Sequence, residues 1–211
     1  MNKFLVKLIE RHPELEPDMG RIEQAFEMIC KSLEQGGTLF ICGNGGSAAD
    51  SEHIAGELLK GFVKKRPLPP AVKQKFEDNF GSAGLEIAEK LQGGLKAMAL
   101  TSHPAFGTAF LNDVDASLIY AQQLNALGSA GDVLLGISCS GNAGNVRKAM
   151  MVARVKGIKT VLLIGNGKGS CMEMADCAIE APCFETFMIQ EYHLPIYHAL
   201  CMMIEDHFYD A

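Results

Sequence analysis

At 211 residues the chain is long enough to bury the core of one α/β domain without disulfide or metal staples, so a single domain is expected over 1–211. A formal net charge of −6 and the lack of tryptophan argue against a surface that neutralises many nucleic-acid phosphates or stacks single-stranded bases. Seven cysteines, scattered singly with no CxxC pair and no secretory signal ahead of them, read as reduced thiols of a cytoplasmic protein, and no apolar run is long and uncharged enough to span a membrane.

Residues 1–36 predict a helical arm of two helices broken at the His12 to Pro17 stretch. The second helix carries Ile22, Ala25, Phe26, Met28, Ile29 and Leu33 on one stripe that must be covered. Apolar strands then alternate with helical stretches: Thr38 to Cys42, Lys96 to Thr101, Val133 to Ile137, Thr160 to Ile164 and Cys177 to Glu180. This rhythm predicts an α/β fold with a doubly wound, five-stranded parallel sheet. The segment from Val63 to Gly94 breaks it. It opens with Lys64, Lys65 and Arg66, runs through Pro67 to Pro70, and shows a short helical pattern from Leu85 to Leu91, so a surface elaboration is expected over 71–94. The basic cluster reads either as a solvated loop or as charge leaning over a phosphate. The last helix, roughly Phe184 to Phe208, ends in the apolar run Leu200 to Ile204, which is to be covered by its own domain or by another subunit. We read oligomerisation from it.

The turn Asn44, Gly45, Gly46, Ser47 follows the first strand directly. A buried strand that delivers a glycine turn to a helix N-terminus leaves several backbone N–H groups aimed at one spot, with the helix dipole adding partial positive charge. Phosphate is the expected occupant. The device repeats after the third strand at Ser138, Cys139, Ser140, Gly141 and Asn142, before a helical pattern that starts near Ala143. Either turn alone is also what an ordinary strand-to-helix connection requires. Two of them, each with serine at the helix entry, point to an anion site.

His53 and Glu57, four apart on the helix after the first turn, share a face. Gln190 and His198, eight apart on the last helix, lie about 80° apart around its axis. Each pair also has a plain reading, as a surface ion pair and as a hydrogen-bonded histidine at the edge of the core. If all four converge beside the turns, they supply an aldose–ketose isomerase with a carboxylate base, a partner acid and a donor for the developing oxyanion. They can also ligate one divalent metal, with glutamine an unusual member of the set.

The blocks Gly43 to Ser47, His53 to Glu57, Asn112 with Asp113, Gly131 to Asn142, and Ile189 to His193 with His198 resemble the sugar isomerase (SIS) domain, and within it the phosphoheptose isomerases, which convert sedoheptulose 7-phosphate to D-glycero-D-manno-heptose 7-phosphate. The resemblance implies that Glu57 and His198 form the acid–base pair, with Glu57 the base at the carbon-bound proton. It implies that Ser47, Ser138 and Ser140 hold the phosphate, that Asn44 and Asp113 line the sugar, and that Gly45, Gly46, Cys139 and Gln190 complete the substrate site. In some relatives the counterparts of His53, Glu57, Gln190 and His198 surround a zinc ion. Relatives are usually homotetramers with N-terminal helices packed in a central bundle, which would cover the Ile22 to Leu33 stripe.

Two departures from that pattern stand out. Ala143 occupies a position where relatives usually carry another phosphate-binding serine, and the insertion over Ala71 to Gly94 lies where relatives run nearly straight to the next strand. Two other readings remain open at this point. One is a non-catalytic sugar-phosphate-binding or regulatory SIS protein, against which the presence of Glu57 and His198 counts. The other is an isomerase of a different sugar phosphate.

Overall fold

The computed structural model describes residues 2–209, so the outermost ends of the expected 1–211 domain, Met1, Asp210 and Ala211, lie outside the described residues. The N-terminal arm forms α1 (Lys3–Arg11), a 3-10 turn over Pro13–Asp18 and α2 (Met19–Glu34). Pro13 and Pro17 account for the break, because proline fixes φ and has no N–H with which to continue an α-helix. Asn2 caps α1, its side-chain oxygen accepting from the Phe4 N–H at 2.9 Å.

Five strands follow: β1 (Leu39–Gly43), β2 (Ala97–Ala99), β3 (Val133–Ser138), β4 (Lys159–Gly165) and β5 (Cys177–Ala181). They form one parallel sheet in the order β2-β1-β3-β4-β5. Between them lie α3 (Gly46–Leu59), α4 (Pro70–Lys90), α5 (Pro104–Phe110), α6 (Ile119–Leu127) and α7 (Gly144–Lys156), and α8 (Thr186–Phe208) closes the chain. The doubly wound sheet predicted from the alternating apolar runs is the one that forms. Successive strand residues feed two cores. Leu39, Ile41, Leu135, Ile137, Val161 and Leu163 pack into the layer of α1, α2, α3 and α8, whereas Phe40, Cys42, Leu134, Leu162 and Ile164 meet α6 and α7.

Four expectations change. β2 is shorter than the predicted Lys96 to Thr101, because an edge strand has only β1 to pair with; the Leu100 N–H still reaches the Ile41 carbonyl at 2.8 Å before the chain turns away. Of the α2 stripe, Ile22, Ala25 and Ile29 need no second subunit, being at most 1% exposed within the chain's own core, whereas Phe26, Met28 and Leu33 are only partly buried against it. Leu200, Cys201, Met203 and Ile204 are buried in the same core, so the end of α8 is not an argument for oligomerisation either. The basic cluster divides: Arg66 is completely buried, Lys64 pairs with Asp206 at 2.7 Å, and Lys65 alone of the three is exposed.

The insertion is also more helical than its sequence suggests. α4 starts at Pro70, breaks at Gly81 (φ 62°) and folds back, so that Gly84 passes the Phe76 carbonyl too closely for any side chain. This hairpin buries only Gly84 and Ala88. Its two ends are clamped where Pro67 bridges Gln92 and the Gly93 N–H donates to the Arg66 carbonyl at 2.7 Å. Among the described residues no helix is long and apolar enough to cross a membrane, and all seven cysteines are free thiols.

Candidate active site

The strand order puts a topological switch point between β1 and β3. The chain leaves β1 for β2 on one side and reaches β3 on the other, so connections from the carboxyl ends of these two neighbours diverge and open a crevice. Both glycine turns lie at this crevice. Gly45 has φ 57°, a conformation that favours glycine, and a side chain on Gly46 would collide with the Gln190 amide, which lies across the start of α3. Among the described residues the N–H groups of Gly45 and Gly46 have no backbone partner, as befits the open end of a helix.

The turns are fastened to each other. Asn44 and Asn145 exchange side-chain amide hydrogen bonds, each 2.8 Å, which ties the first turn to the start of α7. Ser47 Oγ and Cys139 Sγ lie 3.8 Å apart, and the Tyr120 hydroxyl donates to the Gly43 carbonyl at 2.5 Å. Ser138 Oγ accepts from the Ala143 N–H at 3.4 Å and Ser140 Oγ from the Asn142 N–H at 3.2 Å. Each hydroxyl therefore uses one lone pair on the backbone and keeps its proton to donate to an anion. Burial pushes the Cys139 thiol up, so it adds no negative charge to the crevice.

Below the turns α3 and α8 lie side by side. His53 Nε2 faces Glu57 Oε1 at 3.2 Å, the His53 and His198 rings meet edge to face with centroids 5.0 Å apart, and Lys60 Nζ donates to Glu57 Oε2 at 3.0 Å. Burial first, then the neighbouring His53, push the His198 imidazole below the usual histidine range against the pull of Glu57. It is thus a neutral ring at physiological pH, and its buried Nε2 has no hydrogen-bond partner. The structure brings His53, Glu57 and His198 together and leaves Gln190 at the glycine turn. Among the described residues no three His, Cys, Asp or Glu side chains already stand in a ligating arrangement. Asp113 is not brought in: it is exposed on the segment Leu111–Asp115, where its carboxylate accepts from Asn112 Nδ2 at 2.9 Å.

Several residues of the seam escaped sequence reasoning. Lys60 stands three after Glu57 and Asp50 three before His53, both at helical spacing, and Tyr197 stands seven after Gln190, on the same face of α8. His193 on that helix is fully buried, and burial, only partly opposed by the Ile164 backbone, pushes its pKa down to about 4. The folded ring stays neutral while the unfolded chain takes up a proton near 6.5, so the unfolded state binds more protons as pH falls. Stability is then complete above about pH 6.5 and declines by about 3 kcal/mol as pH drops toward 4. Urea unfolding across this window checks it. His193→Leu should flatten that part of the profile, and an equal slope in both proteins would assign the loss to another group.

A family profile described as the SIS domain matches residues 4–93. The phosphoheptose isomerase of Thermodesulfovibrio yellowstonii is 37% identical over 185 residues, covering 88% of this chain and 79% of the relative. Among solved structures, phosphoheptose isomerase GmhA from Neisseria gonorrhoeae superposes with a TM-score of 0.74 at 31% identity, covering 95% of this chain and 94% of that one. A phosphoheptose isomerase from Francisella tularensis gives 0.73 at 30% identity, over 89% and 86% of the two chains.

Proposed function

The chain belongs to the phosphoheptose isomerase family of SIS-domain proteins, and from that premise we propose that it interconverts sedoheptulose 7-phosphate and D-glycero-D-manno-heptose 7-phosphate. One observation carries the reading: Glu57 and His198 stand on either side of His53 on the α3–α8 seam while two glycine turns open at its head. Glu57 lies eleven residues along α3 from Gly46, about 16 Å of helix, and long helical side chains lean back toward the N-terminus. That separation leaves room for the carbon chain of a sugar phosphate between the turns and the Glu57 carboxylate.

The phosphate docks at the open N–H groups of Gly45 and Gly46 and the hydroxyls of Ser47, Ser138 and Ser140. Asn44, held by Asn145, faces the sugar; we keep Asp113 as a further sugar contact that a change in its segment would have to deliver. Glu57 removes a proton from C1; the C1–H electron pair becomes the C1–C2 double bond, and the carbonyl pair moves onto O2. Neutral His198 offers one N–H and one lone pair, so it can supply a proton to O2 and take one from O1. Glu57 then returns its proton to C2 as the C1 carbonyl forms.

The donors on the seam suit zinc, given the buried, unpartnered His198 Nε2 and the His53 nitrogen facing a carboxylate. His53, Glu57, Gln190 and His198 would hold it after side-chain adjustment, and bound there it would polarise the substrate oxygens as a Lewis acid. A second copy of the chain is the remaining partner. Support for a homotetramer comes from Phe80, 69% exposed on the α4 hairpin, and from α5, which buries none of its residues although Phe106 stacks on Phe110. Light scattering that reports a monomer would reject it. The free thiols fit a reducing, cytoplasmic setting.

Proton NMR of the protein with sedoheptulose 7-phosphate in deuterated water tests the reaction. Aldose product with solvent deuterium at C2 is expected, and binding without turnover would move the chain to the non-catalytic reading. The same assay on chelated protein should run at least about tenfold slower and recover with zinc; an unchanged rate in metal-free protein would remove the ion from the mechanism.

A further inference from the structure

Tyr197 is 1% exposed and presents its hydroxyl to α3 between two groups that need it. The O–H donates to Asp50 Oδ1 at 3.2 Å, and His53 Nδ1 stands 3.0 Å from the tyrosine hydroxyl oxygen. The two rings meet edge to face with centroids 5.5 Å apart, so the contact is packed as well as hydrogen-bonded. Asp50 Oδ2 is buried with no partner, which leaves Tyr197 as the hydrogen-bond donor to this carboxylate among the described residues.

A phenol carries one proton and cannot serve both neighbours as a donor. Given to His53, it would strand a half-buried carboxylate with neither oxygen paired; given to Asp50, it forms the charge-assisted bond, which is the stronger of the two. The tyrosine oxygen is then left to accept, and His53 must donate from Nδ1. A neutral imidazole with Nδ1–H has a bare lone pair at Nε2, the atom 3.2 Å from Glu57 Oε1. Two acceptors facing each other at that distance call for a proton or a cation between them.

We propose that Tyr197, anchored by Asp50, is a positioning residue that fixes His53 in the Nδ1–H tautomer and so presents Nε2 as an acceptor toward Glu57. In the catalytic cycle this nitrogen receives the hydrogen bond of the Glu57 carboxyl after it has taken the C1 proton, and it is the same lone pair that a zinc ion would use. The role rests on the reading of Glu57 as the base, but the tautomer itself does not depend on turnover.

Two-bond proton–nitrogen NMR of 15N-histidine-labelled protein at pH 8 tests this, with only six histidines in the chain and His53 assigned by its loss in His53→Gln. The wild type should show His53 protonated at Nδ1 and bare at Nε2, and Tyr197→Phe should abolish that preference. The variant's kcat should fall on the order of tenfold with KM within about twofold, as for the loss of an outer hydrogen-bond partner. Should Tyr197→Phe fail to fold, Asp50→Ala removes the acceptor, frees the tyrosine proton for His53 Nδ1 and must shift the tautomer instead. A wild-type His53 protonated at Nε2, or a tautomer unmoved in the variants, overturns the proposal. A fixed Nδ1–H tautomer in a protein that turns over no heptose phosphate supports it and sinks the functional reading alone.

Discussion

Glu57→Gln is expected to fold, to bind the sugar phosphate with near-normal KM, and to turn it over about 10³-fold more slowly, within the range for loss of a general base. Glutamine preserves the shape of the side chain and can still accept from Lys60, whose Nζ lies 3.0 Å from Glu57 Oε2. What it cannot do is hold the C1 proton between its removal and its return to C2. Binding should survive because the phosphate contacts lie at the turns, at the other end of α3. The fall in kcat corresponds to about 4 kcal/mol of transition-state stabilisation, and its confinement to kcat is the diagnostic sign of a group that acts only in the reaction. Steady-state kinetics beside a circular dichroism spectrum decide the matter. A kcat within tenfold of wild type would place the base elsewhere.

The two glycine turns were legible because every part of them is contiguous in sequence: an apolar strand, a glycine run, then serine at a helix entry. His53 and Glu57 were legible for the same reason, since spacing of four fixes a shared helix face. The meeting of α3 with α8 was not, because it depends on which helices cover which face of the sheet. Tyr197 shows the consequence. It stands next to His198 in the chain, where adjacent residues do not face one another, and its role exists only once Asp50 and His53 are brought opposite it. The first half of α4 did carry a local signal, Pro70 at the helix start with Val72, Phe76 and Phe80 at spacings of four, but Gly81, Gly84 and the intervening charges obscured it. Patterning also showed that the α2 stripe must be covered without showing by what; for Ile22, Ala25 and Ile29 the answer lay in the chain's own core.

Arg66 is the clearest case of a residue whose sequence context pointed the wrong way, and its loss is expected to be the most destabilising of the substitutions considered. Within a run of basic residues it reads as solvated, yet its side chain is fully buried against an equally buried Glu205, with Nε donating to Oε1 at 2.8 Å. Its other nitrogens donate to the Leu58 carbonyl at 2.8 Å and the Glu57 carbonyl at 3.1 Å, groups that the end of α3 leaves open. Glu205 in turn accepts from the N–H groups of Phe62, Val63 and Lys64. Burial pushes the Glu205 carboxyl up, but these bonds and the guanidinium outweigh it and hold the group below the usual carboxylate range. Removing Arg66 therefore leaves a charge in the interior with no counterion, and Arg66→Ala should cost about 3–5 kcal/mol, read as a lower urea midpoint with unchanged slope. Arg66→Lys keeps the charge but not the planar fork that reaches two carbonyls and a carboxylate together, so it should fall between the two. Because the turn that Arg66 holds also carries Glu57, kcat should drop in Arg66→Ala under conditions where the protein remains folded. A stability loss below about 1 kcal/mol would mean that the backbone amides alone satisfy Glu205, and that the clamp between α3 and α8 lies elsewhere.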